Sequence, residues 1–534
     1  MLLLSQFFPI NSEKKRIVID LTHLKAGGEN GGAKLMILEL IGQIAKLSPE
    51  YQIFLLTSSQ CHDELSFLDA PNVQRICVIE MGNDFSILEI ALKKQAVRIR
   101  TSQYILRELK ADLLFNPLTE PLFFEASIPS ISVIYDLQYV TYPQFFSEEQ
   151  CKNREQYVKE ACRLSHYIIC ISEYVRQTIL DSVHVKPAKV SVIPIRVPDR
   201  VELLSSKRVS KILKNFPFYS HEFILYPANF WLHKNHARLF AAFAQHREQY
   251  PQSQLKLICT GAPNESMHCL EKKVFDMQLQ DWIYFPGYVS DQELAVLLSA
   301  CKALIFPSLY EGFGMPIIEA MAFGKPVFCS NVASLPEVAG NAAFFFDPQN
   351  DKEIAEVIKK IETEPELLND LIQRGHQHVQ AIEGHKKMAA QYKQLFEKAL
   401  NNFDDCVEGI YGLYADNWTR DCVLVTYDSE FDKKRVLNLE WFAPNFISSE
   451  TIEIEIHDRQ KGYVKTEKLI RGQGLQISQE LPQYAGYLKF TISPLFQPKA
   501  INLNGDARFL GCICERCYIV FDDDVSVNLL AMDK

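Results

Sequence analysis

Residues 301–330 read "CKALIFPSLYEGFGMPIIEAMAFGKPVFCS". The run "ALIFPS" (303–308) has the length and apolar content of a buried strand, "LYEGFG" (309–314) is a loop, and "PIIEAMAFG" (316–324) has helical spacing. Pro316 suits the first helical position, where its missing N–H would be unpaired anyway. "KPVFCS" then returns as a second buried strand. Strand, glycine loop, helix, strand is the repeating unit of a parallel α/β sheet. It leaves free backbone N–H groups and the positive end of a helix dipole at the C-terminal edge of the sheet, where anionic ligands bind.

Gly312 and Gly314 let the backbone approach such a ligand closely. Glu311 stands before the loop and Glu319 one turn into the helix, so two hydrogen-bond acceptors flank the phosphate position. A nucleotide sugar, with hydroxyls at both ends and phosphate between, matches that order: Glu311 on the sugar, the loop on the diphosphate, Glu319 on the ribose. The bland alternative is a surface turn followed by a solvated helix glutamate.

The same alternation extends outward. "RIVIDL" (16–21), "QIFLLTS", "ADLLFN", "SISVIYD" and "HYIICIS" are strands interspersed with amphipathic helices such as "AKLMILELIGQIAKL" (33–47). A polar break near 200–220 separates this series from a second: "FILYPA", "QLKLICTG", "DWIYFPG", "CKALIFPS", "KPVFCS" and "AAFFFDP". The helix "GHKKMAAQYKQLFEKAL" closes it. From about residue 407 the chain changes to short alternating runs, "TIEIEIH" being the clearest, as in an antiparallel β-sandwich. The expected architecture is α/β, with two doubly wound Rossmann-like domains facing a cleft. Residues 1–205 form the first, 206–385 the second, 386–406 a helix returning to the first, and 407–534 a β-sandwich domain.

Composition bounds the function. A net charge of -10 disfavours a nucleic-acid partner, and no nucleic-acid module is present. The start, "MLLLSQFFPI", reads as neither a signal peptide nor a membrane span, because it lacks a basic leader and charged residues follow at once. Fourteen cysteines lie scattered, mostly in apolar runs, which fits a reducing cytosolic setting. In "CICERC", an extended strand would place Cys512 and Cys514 on one face and Cys517 on the other, with no fourth ligand for zinc.

With these motifs in place, "SLYEGFGMPIIEAMAFGKPVFCSNVASLPEVAGNAAFFFDP" (308–348) resembles the donor-binding segment of retaining GT-B glycosyltransferases of the family 4 type, Glu311 and Glu319 forming its E-x7-E element. The resemblance spans residues 16–400 and does not reach the tail. It implies that Lys234, in "LYPANFWLHKNHARLF" (225–240), binds the diphosphate. Many members carry an arginine six positions earlier, where this chain has Ala228; His233 is the partial substitute. It also implies donor contacts from Phe313, Met315 and Pro316 of the loop and from Gly261. Backbone near Tyr288 and Val289 would read the base, with Leu294 beneath it. Gly31 and Gly32 would meet the donor phosphate and acceptor across the cleft, a plain loop being the rival reading. Asp136 is retained from the family's His-Asp pair, but Tyr135 replaces the histidine, with its hydroxyl as the remaining donor. Ser172 and Glu173 would face the cleft, or Ser172 would simply cap a helix.

The implied chemistry is transfer of a hexose from a nucleotide diphosphate sugar, GDP-mannose favoured, with retention and with Glu311, Lys234, Asp136 and Tyr135 at the reacting centre. No cofactor is expected, and no metal, because Asp-x-Asp is missing from the first 400 residues and "FDDDV" reads as a solvated strand end. The acceptor would be a glycan or lipid-linked glycan, and the setting cytoplasmic or peripheral at the inner membrane face. The basic stretch "KKQAVRIRTSQYILRELK" (93–110) reads as a membrane-surface contact or as a solvated helix face. A non-catalytic nucleotide-sugar or glycan-binding protein is the alternative, suggested by Tyr135 and Ala228. In the tail, Trp418 belongs to an exposed glycan-binding patch, a dimer surface or a core.

Overall fold

The computed structural model describes residues 14–25, 31–80, 97–99, 102–183, 185–196, 203–382, 385–401, 409–413, 417–427, 435–458, 462–481, 486–495, 510–521 and 526–530. The apolar start, Lys93, Lys94, Arg100 and the acids of "FDDDV" lie outside them.

The first sheet has strands β1 (Lys15–Leu21), β2 (Tyr51–Thr57), β3 (Val73–Glu80), β4 (Val97–Ile99), β5 (Leu113–Asn116), β6 (Ser130–Ile134), β7 (Tyr167–Cys170) and β8 (Val190–Val192). Their order is β4-β3-β2-β1-β5-β6-β7-β8, and the pairs are parallel. The second sheet has β9 (Phe223–Pro227), β10 (Lys256–Thr260), β11 (Ile283–Gly287), β12 (Ala303–Phe306), β13 (Val327–Ser330) and β14 (Ala343–Phe346), in the parallel order β11-β10-β9-β12-β13-β14. Strands such as β2, β5, β6, β7, β12 and β13 are buried along their whole length, which is why the sequence shows solid apolar runs there. Each sheet reverses its strand order once, between β1 and β5 and between β9 and β12. The crevice at such a switch point is where an open α/β sheet binds its ligand.

The loop helix differs from expectation by one position. It spans Met315–Ala322 with Gly314 as N-cap, so Pro316 is its second residue, and it stops before Gly324, whose φ of 66° ends it. The helix His385–Asn401 packs Tyr392 edge-on and Phe396 at a tilt against Phe115 of β5, with ring centroids 5.6 and 5.2 Å away. It therefore buries its apolar face in the first core although it follows the second sheet in sequence.

The tail carries β15 (Gly409–Leu413), β16 (Thr419–Tyr427), β17 (Arg435–Phe442), β18 (Thr451–Asp458), β19 (Gly462–Ile470), β20 (Gly474–Leu481), β21 (Gly486–Ser493), β22 (Ile513–Phe521) and β23 (Ser526–Asn528). These form two antiparallel sheets, β15-β16-β21-β18-β19 and β20-β17-β22-β23. Their inner faces share one core, in which Trp441 of β17 meets Phe490 of β21 at 5.3 Å. The cysteine parity expected for β22 is corrected here. A register shift opposite Glu440 and Trp441 pairs Trp441 with Cys514 but Glu440 with Arg516. The extra residue turns Cys517 back to the side of Cys514, and Cys512, Cys514 and Cys517 are all fully buried. Trp418 is half-buried against the same core, 6.1 Å from Phe446.

The tail is docked on the first domain. Tyr411 stacks on His166 at 4.4 Å, Lys189 Nζ lies 4.8 Å above the Tyr411 ring, and Arg163 Nη1 donates to Asn417 Oδ1 at 3.0 Å. The basic stretch is not one helix: it holds β4 and a separate helix, Ser102–Glu108. Ile105 and Leu106 are core residues, and Arg107 Nε donates to the buried Glu125 at 2.6 Å. Among the described residues no helix is long and apolar enough to cross a membrane.

Candidate functional site

The loops after β9, β10, β11 and β12 lie side by side at the C-terminal edge of the second sheet, and most of the expected donor residues sit on them. After β9 the chain makes a short turn, Leu232–Lys234, ended by Asn235 in the left-handed region at φ 63°. The Asn235 amide donates to the carbonyls of Pro307 (3.1 Å) and Pro348 (2.8 Å). Tyr226 donates to Lys234 O at 2.6 Å, and Leu309 N–H donates to His233 O at 2.7 Å. Lys234 is thereby fixed before its side chain does anything. Its Nζ lies 2.6 Å from Glu311 Oε1, each side chain only 12% exposed. Lysine after β9 and glutamate after β12 form an ion pair across the switch point.

The glycine loop is held from both domains. A Cβ on Gly312 would lie 2.1 Å from the Tyr135 carbonyl oxygen, so only glycine permits that approach. Gly314 has φ 104°, another position that favours glycine. Phe313 packs against both the first and the second core. A Cβ on Gly32, in the first turn of the helix Gly31–Leu47, would meet Met315 Cε at 2.0 Å, so Gly32 faces the loop, whereas a Cβ on Gly31 would meet nothing within 4 Å. Ser334 Oγ lies 2.9 and 3.0 Å from the Glu311 and Phe313 carbonyls.

Both readings of Ser172 hold together. Its hydroxyl donates to Gly312 O at 2.8 Å while its oxygen accepts Val175 N–H at 3.2 Å as the cap of the helix Glu173–Ser182. Glu337, which the sequence reading quoted but did not use, closes the same helix end from the other domain. Its two carboxylate oxygens accept Glu173 N–H at 2.8 Å and Tyr174 N–H at 3.0 Å. Tyr310, also missed, accepts Leu137 N–H at 3.3 Å and sets its ring edge-on to Tyr142 and Tyr174. No local pattern signals these contacts, because each partner lies more than 160 residues away in sequence.

Asp136 accepts Gln138 N–H at 3.0 Å. Burial pushes its carboxyl above the usual range; the Glu311 charge adds to this, and Arg154 and Lys234 oppose it. The first domain's aspartate thus feels the charges of the second domain's pair. Arg154, on the helix Glu148–Leu164, lies over the Phe146 ring at 4.7 Å and was not singled out from sequence.

Two expectations are corrected. The Tyr135 hydroxyl donates its one proton to Pro117 O at 2.9 Å, within the first domain, so it does not present a donor to a sugar. Burial and the neighbouring Lys234 charge hold the His233 imidazole down to about 2, so it is neutral and supplies no second cation in place of the arginine absent at Ala228. His233 can offer only a neutral hydrogen bond.

Around this centre, Gly261 follows β10, and a Cβ there would lie 2.6 Å from Ala228 O. Tyr288 follows β11 and is 68% exposed, the most open of the expected base contacts. Val289 and Leu294 pack into the second core, which suits a wall better than direct recognition. Glu319 is buried on the helix Met315–Ala322.

Residues 211–378 match the family model described as Glycosyl transferases group 1. That span contains β9 to β14 and every donor residue named above except those of the first domain. Among curated proteins, the O-antigen chain mannosyltransferase B of Escherichia coli is 28% identical over 225 residues, 41% of this chain and 58% of that one. The O-antigen chain mannosyltransferase RfbU of Salmonella typhimurium is 29% identical over 212 residues, covering 40% and 55%. The chain thus spans little more than half the length of these relatives. Among solved structures, sucrose-phosphate synthase from Thermosynechococcus elongatus superposes with a TM-score of 0.57 at 20% identity, over 73% of this chain and all of that one. HepE from Anabaena, in complex with UDP and glucose, gives 0.56 at 15% identity over 72% of this chain. At such identities the likeness establishes the fold: two Rossmann-like domains in the GT-B arrangement, with the antiparallel tail in addition.

Proposed function

We propose that the chain is a retaining glycosyltransferase that moves a hexose, mannose favoured, from a nucleotide diphosphate sugar to an acceptor hydroxyl in bacterial surface polysaccharide or lipopolysaccharide synthesis. The Lys234–Glu311 pair at the second switch point carries the reading. A desolvated ammonium held by a single carboxylate, beside the N-terminus of the helix Met315–Ala322, is a site that a diphosphate completes.

The bond from the sugar's anomeric carbon to the diphosphate oxygen breaks, and the charge left on that oxygen is met by Lys234 and the backbone N–H groups of the glycine loop. The acceptor hydroxyl attacks from the same face, and its proton passes to the departing diphosphate. Stabilising the developing charge is the main work, for which fixed donors in a water-poor cleft are effective. Glu311 holds Lys234 in place before the donor arrives and then receives hydroxyls of the sugar. Glu319 takes the ribose, and Gly261, Tyr288 and Val289 border the base. Asp136 faces the sugar from the first domain. No metal or cofactor has a role in this scheme.

The preference for GDP-mannose rests on the mannosyltransferases among the relatives, and UDP-sugars are the alternative. The place of action proposed is the cytoplasmic face of the membrane. The second reading, a nucleotide-sugar-binding protein without turnover, draws on the Tyr135 hydroxyl's commitment to Pro117 and on apolar, buried Ala228. A panel of nucleotide sugars separates the two: slow release of nucleotide diphosphate supports the enzyme, and binding without release supports the alternative.

A further inference from the structure

Tyr310 stands immediately before Glu311 in the loop after β12, and Leu137 immediately after Asp136 in the segment after β6. The backbone around Tyr310 is fixed within the second domain. Leu309 N–H donates to His233 O at 2.7 Å, the Tyr226 and Ser308 hydroxyls meet at 3.1 Å, and Ser334 Oγ lies 2.9 Å from Glu311 O. From this frame the Tyr310 side chain crosses to the first domain, and the residue is only 2% exposed. Its ring stands edge-on to Tyr142 at 6.3 Å and to Tyr174 at 5.8 Å, and its hydroxyl accepts Leu137 N–H at 3.3 Å. The Tyr174 phenol lies within hydrogen-bonding reach of the same hydroxyl.

Leu137 is fully buried, and its carbonyl already accepts Val140 N–H. Its own N–H points across the cleft to Tyr310. A buried N–H that loses its acceptor is costly, so the domains close without penalty at this point only when the second brings an acceptor at the reach of a phenol. Phenylalanine would fill the same space and leave that N–H unsatisfied. The ring contacts hold the two domains together whatever the ring carries, whereas the hydroxyl sets their register. The bond thereby ties the residue after Asp136 to the residue before Glu311, and the Glu311 charge already acts on Asp136.

We infer that Tyr310 is a positioning residue: through the Leu137 amide, its hydroxyl sets the separation of Asp136 and Glu311, the two carboxylates between which the donor sugar would lie. The inference rests on the donor reading above and adds to it how the reacting arrangement is assembled from two domains. Tyr310 itself touches no substrate. Lys234, Glu319 and the glycine loop hold the nucleotide from the second domain, so nucleotide binding is independent of this bond and transfer is not.

The test is Tyr310→Phe, which removes one oxygen and keeps the ring. Its kcat should fall about 10–100-fold, the effect of a displacement of up to about 1 Å at a reacting centre, while affinity for GDP or UDP, whichever wild type binds, stays within about twofold. Amide hydrogen exchange gives a readout besides activity: the Leu137 N–H should exchange about tenfold faster in the variant, since it is freed from its acceptor. Tyr310→Leu, which also empties the space between Tyr142 and Tyr174, should lose turnover further and raise the KM for donor. The inference is overturned if Tyr310→Phe turns over as wild type does, or if exchange at Leu137 is unchanged. Parallel loss of kcat and nucleotide affinity also overturns it, because Tyr310 would then be supporting the donor pocket and not the alignment across the cleft. Failure of the donor reading is distinguishable, since it shows in wild type itself, as a nucleotide-sugar panel from which no nucleotide is released.

Discussion

Lys234 and Glu311 meet at 2.6 Å although 77 residues separate them, and each retains only 12% of its side-chain exposure. Lys234→Ala should lower turnover by about 10²–10³-fold, the usual effect of removing one fixed donor to a developing oxyanion. It should also cost stability, because Glu311 is left desolvated and unpaired. A loss of about 2–3 kcal/mol is expected, less than the about 3–5 kcal/mol of a fully buried pair since some water contact remains. Kinetics and denaturant unfolding on the same sample measure both. Lys234→Met, with apolar bulk retained, should lose activity equally.

Gly312→Ala and Gly32→Ala should differ sharply. The first would put a methyl group against the Tyr135 carbonyl, which is backbone and cannot move aside without separating the domains. The second meets only the terminal methyl of Met315, a flexible side chain. Turnover should therefore fall at least about 100-fold in Gly312→Ala and change little in Gly32→Ala, a displacement of about 1 Å at a reacting centre being worth that much. Equal activities would show that this apposition is not the reacting geometry.

Glu337 joins the domains by accepting two N–H groups at the start of the helix Glu173–Ser182, where the dipole favours negative charge. Replacing such a cap costs about 1–2 kcal/mol, so Glu337→Ala should raise the KM for donor about 5–30-fold. Small-angle scattering should show a more open average shape. Glu337→Gln, which keeps one acceptor oxygen, should fall between.

The strand–glycine–helix unit, the two parallel sheets and the residues on their C-terminal edges were legible in the sequence because they rest on local periodicity and spacing. Contacts across the cleft were not. Nothing near Glu337 or Tyr310 records that a helix of the other domain lies within reach, and nothing in "DLQYV" records that the neighbouring Tyr135 hydroxyl is taken by Pro117. Arg154 hid in a polar helix of ordinary charge. The cysteine parity failed for a related reason, since a one-residue bulge set by pairing to Trp441 inverts every face beyond it.

Titration should show the buried histidines. His166 and His236 are fully buried, and burial lowers both, His236 to about 3, with the Lys189 and Lys234 charges adding to the effect. Both lie below their unfolded values, so the unfolded chain binds more protons. Stability is therefore complete above about pH 6.5 and falls as the pH drops below it, by about 1.4 kcal/mol per unit for each group. Asp136 has the opposite sign: its folded carboxyl is raised, so the cost of ionising it is present at neutral pH and relieved on acidification through its folded value. Asp136→Asn should consequently stabilise the protein at pH 7 while removing activity, which thermal unfolding and turnover assays would check together.

The most direct measurement is a crystal structure grown with GDP-mannose, or with the donor that the panel identifies. The diphosphate should lie against Lys234 and the backbone of residues 312–315, with the ribose at Glu319 and the sugar between Glu311 and Asp136. A nucleotide bound elsewhere, with Lys234 still paired only to Glu311, would contradict the proposed site and the reaction built on it.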